Sequence, residues 1–516
     1  MNPAAKPQST KLNLSSFHPT HGLLHGHQPM FTTLITGLLS FLLLYLHHSN
    51  KSVRRPPGPS GLPIIGNLHQ LGSLPYRSLA HLAKIYGPFM HLKLGRVSTL
   101  VVSSPKMAEL AMRTHDRALC SRPIRAATNH LTYNSTDVVF APYGPYWRNV
   151  RKICILELLS SKRVQSFRNV RKEEVGLLVD SIFVSSKAKA PVNLRDAFHS
   201  LTNNVVCRVA LGKSYREDEP ELKEILNSSQ PLTSGFFVGD FFPSLEWVKY
   251  LTGFQRSQSL VFNSHSPPYL PGAGAAPVPI PVPSAGALER CLPKAPELEK
   301  RVLDMFAAGT ATTATVLEWG MSESIKNRSA MKKAQDKVRG IAKSNNKSMI
   351  EEKELQQLHY LKVVVKEILR LHPPAPLLIP HELVEDCDIE GYFVPSKTTV
   401  LVNVWAIGRH PDSWVDPEEF RPERFIGSNI DYKGQDFALI PFGAGRRGCP
   451  GISFAMAILE LALANLLLCF DWAMPDGMNN EDLDMTEGTG LFVLKKTPLL
   501  LVATRQALDS NSNGDW

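Results

Sequence analysis

The sequence predicts a mainly α-helical fold with small β-sheets and an N-terminal membrane anchor. Three observations support this prediction. Helical patterns fill most of the chain after residue 104, alternating apolar and polar residues form two short β-rich regions, and one uncharged apolar run lies near the N-terminus. The 516 residues are 43% hydrophobic and 20% charged, which is typical of a globular protein.

The predicted anchor is the run from Met30 to Leu46, where no charged residue occurs between Lys11 and Lys51. Its 17 residues are at the short end of the range of about 17–25 that spans a bilayer. A cleaved signal peptide is the alternative, but no clear small-residue cleavage site follows. The basic residues Arg54 and Arg55 would stay on the cytosolic side, and with them the bulk of the chain.

The net charge of +10 is concentrated at the front of the chain, because ten basic residues precede the first acidic residue, Glu109. Nucleic acid is one possible partner for such a region. A membrane surface is the better candidate, because the apolar run lies inside it. We therefore predict membrane lipid as a partner and no nucleic acid.

Composition divides the chain further. Residues 1–29 are predicted to be a disordered leader, and whether they belong to the native protein is left open; residues 47–66 are predicted to be a basic, proline-rich hinge between the anchor at 30–46 and a main domain at 67–510. Within that domain the segment 256–296 is atypically rich in Pro, Ala and Gly, and repeated prolines exclude a helix or a central strand there.

The secondary structure is predicted from periodicity. A β-hairpin is expected at 88–103 and a second β-rich region at 377–404, and a helix should begin just after Cys449 and run to about Phe470. The other predicted helices cover 105–115, 144–185, 194–212, 297–327, 329–343 and 351–371.

The segment 441–451, PFGAGRRGCPG, carries the strongest chemical signal. Its glycines allow a sulfur to approach a metal, backbone N–H groups can point at the sulfur, and an arginine can neutralise a carboxylate. The helix after Cys449 places a positive end near an anionic sulfur. A phosphate-binding loop is the alternative, but the Lys-Ser/Thr ending of such loops is missing. The seven cysteines are scattered without tight pairs, which fits a reducing compartment where one thiolate stays free.

This segment resembles the cysteine loop of the cytochromes P450, Phe-x-x-Gly-x-Arg-x-Cys-x-Gly. Its fixed positions are filled by Phe442, Gly445, Arg447, Cys449 and Gly451. The resemblance implies the cytochrome P450 fold, with 67–510 as the haem-thiolate catalytic domain. It also implies that Cys449 is the axial ligand of the iron of haem b, with Phe442 and Arg447 at the cofactor.

Further motifs occur in the order that the family has them. Glu367 and Arg370, three apart on a helix, resemble its Glu-x-x-Arg pair, and Arg424 in Pro-Glu-Arg-Phe would complete a supporting triad. Trp147 and Arg151, four apart, resemble Trp-x-x-x-Arg and would contact the haem propionates.

Two more resemblances concern the haem propionates and the face of the haem where oxygen would bind. His381 stands where relatives often have Arg, and would donate to a propionate. Residues 308–313 resemble the distal helix over the haem, with Thr312 as the catalytic hydroxyl. The family usually carries Asp or Glu just before this threonine, whereas this chain has Ala311. Either ordered water replaces the carboxylate, or turnover is slower and releases peroxide.

The resemblance implies a plant microsomal monooxygenase of specialised metabolism, single-pass in the endoplasmic reticulum membrane with its catalytic domain in the cytosol. It would oxidise a small hydrophobic metabolite with O₂, using electrons from NADPH through NADPH–cytochrome P450 reductase. Two alternatives stay open: a haem-thiolate dehydratase or isomerase, and a haem-binding protein impaired by the segment 256–296 and Ala311. Mostly apolar or small residues are expected to line the substrate cavity, at 126–139, 307–312, 375–379 and 489–493.

Overall fold

The computed structural model describes residues 54–125, 132, 134–212, 238–245, 304–305 and 308–506. The predicted leader, the predicted anchor and the atypical segment 256–296 lie outside these residues. The predicted hinge is described from residue 54 onward. Its proline-rich part lies against the following hairpin, where the N–H of His91 donates to the carbonyl of Pro57 at 2.8 Å.

Helices dominate the described residues, as predicted. They are α1 (Pro75–Tyr86), α2 (Pro105–Glu109), α3 (Pro145–Cys154), α4 (Ser161–Ser166), α5 (Arg168–Lys187), α6 (Leu194–Leu211), α7 (Val238–Phe241), α8 (Ala311–Lys326), α9 (Arg328–Ser344), α10 (His359–Leu371), α11 (Val404–Ile407) and α12 (Ile452–Cys469). π-Helical turns follow α2 at Leu110–Thr114 and α3 at Ile155–Leu159.

The strands form three small sheets. They are β1 (Phe89–Leu94), β2 (Val97–Val102), β3 (Val192–Asn193), β4 (His381–Glu382), β5 (Cys387–Ile389), β6 (Tyr392–Val394), β7 (Thr399–Val402), β8 (Phe470–Ala473) and β9 (Leu500–Arg505). The sheet orders are β1-β2-β7-β4, β3-β9-β8 and β5-β6. The predicted hairpin at 88–103 is confirmed, and β7 joins it in parallel with β2.

The predicted helix 144–185 is divided, because Ser160 and Phe167 interrupt it. Ser160 is extended (ψ 150°), and its hydroxyl accepts a hydrogen bond from the N–H of Arg163, as an N-cap does. The predicted helix 351–371 also begins later than expected, with a 3₁₀ turn at Glu354–Gln357 before α10. Apolar spacing alone does not reveal such caps.

The core forms around two helices that are buried almost all round, α8 and α12. α8 packs against α6, α12 and α10. Gly309, at the start of this region, lies close to α6: an added Cβ would be 3.2 Å from a methyl group of Val206, which would have to shift slightly. The predicted helix after Cys449 is confirmed as α12.

α12 is also the one helix, within the described ranges, that is long and apolar enough to cross a membrane. Its mean hydropathy is 2.1, but 67% of it is buried inside the protein. Its leucines pack in the main core cluster with α8 and α10. α12 therefore serves as a core helix.

Candidate active site

The cysteine loop is held in shape by its own backbone. The N–H of Cys449 donates to the carbonyl of Phe442 at 2.9 Å, and the N–H of Gly448 to that of Gly445 at 3.1 Å. Gly445 has a φ of 64°, and a Cβ added there would lie 2.4 Å from the carbonyl oxygen of Met112. This position therefore requires glycine for its conformation and for its space.

The sulfur of Cys449 has few partners in the loop. Its side chain is exposed, and Sγ accepts a hydrogen bond from the N–H of Gly451 at 3.3 Å. Desolvation by the surrounding protein raises the pKa of the Cys449 thiol, while the Gly451 N–H and the charge of Arg151 lower it. A metal cation at the sulfur would favour the thiolate, because metal binding displaces the thiol proton.

Arg447, two residues earlier, is buried and points into the protein. Its Nε donates to the carbonyl of Cys120 at 2.6 Å and its Nη2 to that of Ala141 at 2.7 Å. Within the described part of the chain, its Nη1 has no hydrogen-bond partner. Burial, together with the positive charge of Arg151, lowers the pKa of Arg447 to about 10. A buried guanidinium with an unused N–H is the partner that a carboxylate would bind.

Arg122 is a second buried cation, which the sequence analysis missed. Its Nη1 donates to the carbonyls of Ile379 at 2.6 Å and Pro380 at 2.9 Å. Burial, and then repulsion by Arg447, hold the pKa of Arg122 well below its usual range. One sequence feature could have pointed to Arg122: no acidic residue that could pair with it occurs between Asp116 and Asp137.

His381 completes the buried cluster on β4. Its Nδ1 lies 2.8 Å from the carbonyl of Leu119, so Nδ1 carries the proton and Nε2 is left as the free nitrogen. Burial and the charges of Arg122 and Arg447 hold the pKa of His381 well below its usual range. The ring is therefore neutral, and only a nearby anion would let Nε2 donate as well.

Trp147 and Arg151 share one face of α3 and reach the same loop. The guanidinium of Arg447 lies 3.9 Å from the ring centroid of Trp147, a cation–π contact, and Arg151 Nη2 donates to the carbonyl of Gly448 at 2.5 Å. The indole N–H of Trp147 donates to the carbonyl of Val138 at 2.9 Å. The tryptophan therefore acts on the cluster through its ring face.

The predicted triad is formed and is almost fully buried. Arg370 makes two hydrogen bonds of 2.7 Å to the carboxylate of Glu367, and Arg424 Nε adds a third at 2.9 Å. Arg370 also donates to three backbone carbonyls, those of Gly408, Pro417 and Glu419. The triad thus fixes residues 408–425, which lead into the cysteine loop, against α10.

Thr312 lies at the start of α8. Its hydroxyl donates to the carbonyl of Ala308, four residues earlier, at 2.6 Å. The proton of this hydroxyl is therefore bound within the same segment of chain. Ala311 beside it is 7% exposed. The sequence analysis gave no role of its own to Thr310, whose buried Oγ1 has no partner among the described residues.

Phe442, the other predicted cofactor residue, is half-buried and makes an edge-on ring contact with Tyr432 at 5.9 Å. The donor set as a whole fits an iron porphyrin. It offers one thiol sulfur, an aromatic ring beside it and, for two carboxylates, the guanidinium groups of Arg122, Arg151 and Arg447 next to the neutral imidazole of His381.

Comparisons with known proteins agree with this geometry. The family model "Cytochrome P450" matches residues 56–264 and 292–502, and its gap falls inside the atypical segment. The chain is 47% identical to "Cytochrome P450 71AP13" of Prunus mume, over 93% of this chain and 96% of that one. It is 45% identical to "Desmethyl-deoxy-podophyllotoxin synthase" of Sinopodophyllum hexandrum, over 92% and 96%.

A solved structure, "Zebra fish cytochrome P450 another structure with Abiraterone", matches the fold with a TM-score of 0.66. Its identity is 22%, over 84% of this chain and 100% of that one. The family model covers most of the chain, and the first of the plant relatives reaches 47% identity over nearly its whole length. This chain belongs to the cytochrome P450 family.

Proposed function

We propose that this chain uses Cys449 as the thiolate ligand of haem iron to oxidise a small hydrophobic plant metabolite. Family membership makes the chain a haem-thiolate monooxygenase that receives electrons from NADPH through a reductase. The observation that carries the ligand assignment is the exposed Cys449 sulfur, 3.3 Å from the Gly451 N–H, in a loop whose Arg447 keeps an unused buried N–H.

The haem, when bound, supplies activation of O₂ for transfer of one oxygen atom, with the thiolate donating electron density to the iron. The chain's own contribution is electrostatic. Arg447 and Arg122 offer charge-assisted hydrogen bonds to the carboxylates, and Arg151 adds a third positive charge. A carboxylate near His381 would raise the pKa of this imidazole, which burial and two arginines now hold low.

The substrate class is inferred from the loops expected to line the cavity. Ala375, Leu377 and Ile379 are half-buried at alternate positions of one loop, and Leu491 and Phe492 are half-buried in another. These side chains favour an apolar carbon skeleton. The relative named desmethyl-deoxy-podophyllotoxin synthase supports a plant specialised metabolite as the general class.

We infer NADPH–cytochrome P450 reductase as the electron donor and the cytosolic face of the endoplasmic reticulum as the location. The apolar run 30–46 with its basic flank supports a single-pass anchor. In the hinge, Leu62 is 52% exposed and Ile64 is 82% exposed, beside the basic residues Lys93 and Arg96. Apolar side chains with a basic rim are what a lipid surface accepts.

An isotope experiment tests the proposed reaction. Membranes that contain the chain and the reductase would receive NADPH, ¹⁸O₂ and a panel of apolar plant metabolites, with Cys449→Ser membranes as control. We expect a product carrying one ¹⁸O atom. A product formed without label would contradict the monooxygenase and support the dehydratase or isomerase alternative.

Arg122→Met is expected to accelerate haem loss by at least about tenfold, because it removes a charge-assisted hydrogen bond worth about 1.5–3 kcal/mol. Transfer of haem to apomyoglobin measures the rate. Arg446→Met is the matched control, since Arg446 lies in the cysteine loop but is 49% exposed and pairs with Asp116. Equal rates in the two variants would exclude Arg122 from the propionate site.

Ala311→Asp is expected to lower the hydrogen peroxide released per NADPH severalfold. A carboxylate at this position would exchange protons with water beside Thr312, and the N-terminal end of α8 favours its negative charge. The effect is measured as the ratio of hydrogen peroxide formed to NADPH consumed. Ala311→Asn has the same size without an ionisable group, so an equal decrease in both variants would refute proton delivery by the carboxylate.

A further inference from the structure

One face of α8 continues beyond Thr312 into a buried polar cluster. Trp319 lies seven residues after Thr312, and Glu323 four residues further. At 100° per residue these three side chains share one stripe of the helix. Any contact that holds Trp319 and Glu323 therefore also sets the rotation of the helix at Thr312.

Trp319 connects this stripe to two loops. It is fully buried, and its indole Nε1 donates to the carbonyl of Val493 at 2.7 Å. The N–H of Val493 in turn donates to the carbonyl of Pro374 at 3.0 Å. These two bonds join α8 to the loops 374–379 and 489–494, which are distant in sequence.

His372 holds the indole from the side of the first loop. Its ring is stacked on Trp319, with centroids 4.1 Å apart and planes at 5°, and its Nε2 lies 2.7 Å from Glu323 Oε1. The two residues after it, Pro373 and Pro374, have restricted φ angles. The position of the His372 backbone therefore largely determines the direction in which the loop leaves it.

Lys495 holds the indole from the side of the second loop. It is 2% exposed, and its ammonium lies 5.0 Å from the ring centroid of Trp319. Its backbone carbonyl accepts from Arg195 Nη2 at 2.6 Å. His372, next to the first loop, and Lys495, next to the second, therefore both contact the indole of Trp319, which α8 carries.

We propose that Trp319 is a positioning residue, whose indole N–H bond to Val493 sets the distance of the two cavity loops from α8 and so determines which ligands fit. This inference rests on the proposed function, which assigns those loops to the substrate cavity. A purely structural role would alter stability without altering selection among ligands.

The chain offers a matched control in Trp472. This residue is also buried, and its Nε1 donates to a backbone carbonyl, that of Leu466, at 3.1 Å. That carbonyl belongs to α12 and not to a cavity loop. Trp319→Phe and Trp472→Phe thus each remove one buried indole and one hydrogen bond, but only the first removes a link to the loops.

Two nitrogen ligands of haem iron distinguish a positioning role of Trp319 from a purely structural one. Imidazole is small and reports access to the iron, whereas 4-phenylimidazole also carries a ring that the cavity walls must accept. Titration of the Soret band in the full-length haem protein gives both dissociation constants. For Trp319→Phe we expect the ratio of the 4-phenylimidazole constant to the imidazole constant to rise about fivefold, because one buried hydrogen bond is lost.

For Trp472→Phe the ratio should stay at the wild-type value. An unchanged ratio in Trp319→Phe, or an equal rise in both variants, would overturn the proposal. If Trp319→Phe does not accumulate as a haem protein, His372→Gln replaces it, since glutamine keeps a donor for Glu323 but removes the stacked ring. The same direction of change is expected there, and an unchanged ratio overturns the proposal.

Failure of the proposed function would look different. A wild-type protein whose Soret band responds to neither imidazole nor 4-phenylimidazole would contradict the haem site itself, and the inference on Trp319 would fall with it.

Discussion

Cys449→Ser is expected to reduce NADPH-dependent oxidation to the level of membranes without the protein. A serine hydroxyl has a far higher pKa than a thiol, so it does not provide an anionic ligand at neutral pH. The N–H of Gly451 and the charge of Arg151, which now act on the sulfur, would have no thiolate to stabilise. Turnover per milligram of protein and haem content measure the effect.

Cys469→Ser is the matched control for this variant. Cys469 is a second free cysteine, half-buried at the far end of α12, and burial raises the pKa of its thiol to about 11. We expect its turnover to stay close to that of the wild type. Retained turnover in Cys449→Ser, or equal losses in both variants, would contradict the ligand assignment.

Glu367→Gln is expected to prevent stable assembly of the haem domain. The carboxylate of Glu367 is fully buried and neutralises Arg370, which is also fully buried. Removing one partner of such a pair leaves an uncompensated charge and costs about 3–5 kcal/mol. That is a large part of the roughly 5–15 kcal/mol that stabilises a folded domain. The melting temperature and the yield of haem-bound protein measure the loss.

Glu174→Gln provides the comparison. Glu174 is also buried and pairs with Arg208 at 2.7 Å, but Arg208 keeps a second partner in Glu173. We expect a smaller decrease in melting temperature and normal haem content. Equal losses in the two variants would mean that the triad gives no special support to the haem region.

The turn of the cysteine loop could be predicted from the sequence because the backbone hydrogen bonds that shape it are local. These bonds join residues within 442–451, so the same short segment that forms the turn also carries the resemblance to the family's cysteine loop. Helical spacing places Glu367 and Arg370 on one face of a helix, but only the resemblance to the family's motif identified them as a pair. Arg424 required the resemblance, because the chain between it and α10 has no period that places it.

Arg122 and Trp319 could not be predicted from spacing. Arg122 acquires its role from the carbonyls of Ile379 and Pro380, more than 250 residues away in the chain. Trp319 reads as an ordinary apolar residue of a helix until the fold brings Val493 to its N–H. Both roles depend on tertiary contacts to backbone atoms, which leave no residue pattern.

The helix boundaries show the same limit. The apolar period runs through 144–185, yet Ser160 caps a new helix because its hydroxyl competes for backbone N–H groups. The strands β8 and β9 were missed because they form by pairing with each other from positions 30 residues apart in the chain. Local propensity does not contain that information.

The most direct test of the account is the reduced carbon-monoxide difference spectrum of the full-length wild-type protein, recorded beside Cys449→Ser and Cys469→Ser. We predict the Soret band of a thiolate-ligated haem in the wild type and in Cys469→Ser, and its loss in Cys449→Ser. A thiolate-type band that survives in Cys449→Ser, or that is absent from a haem-loaded wild-type protein, would contradict the account.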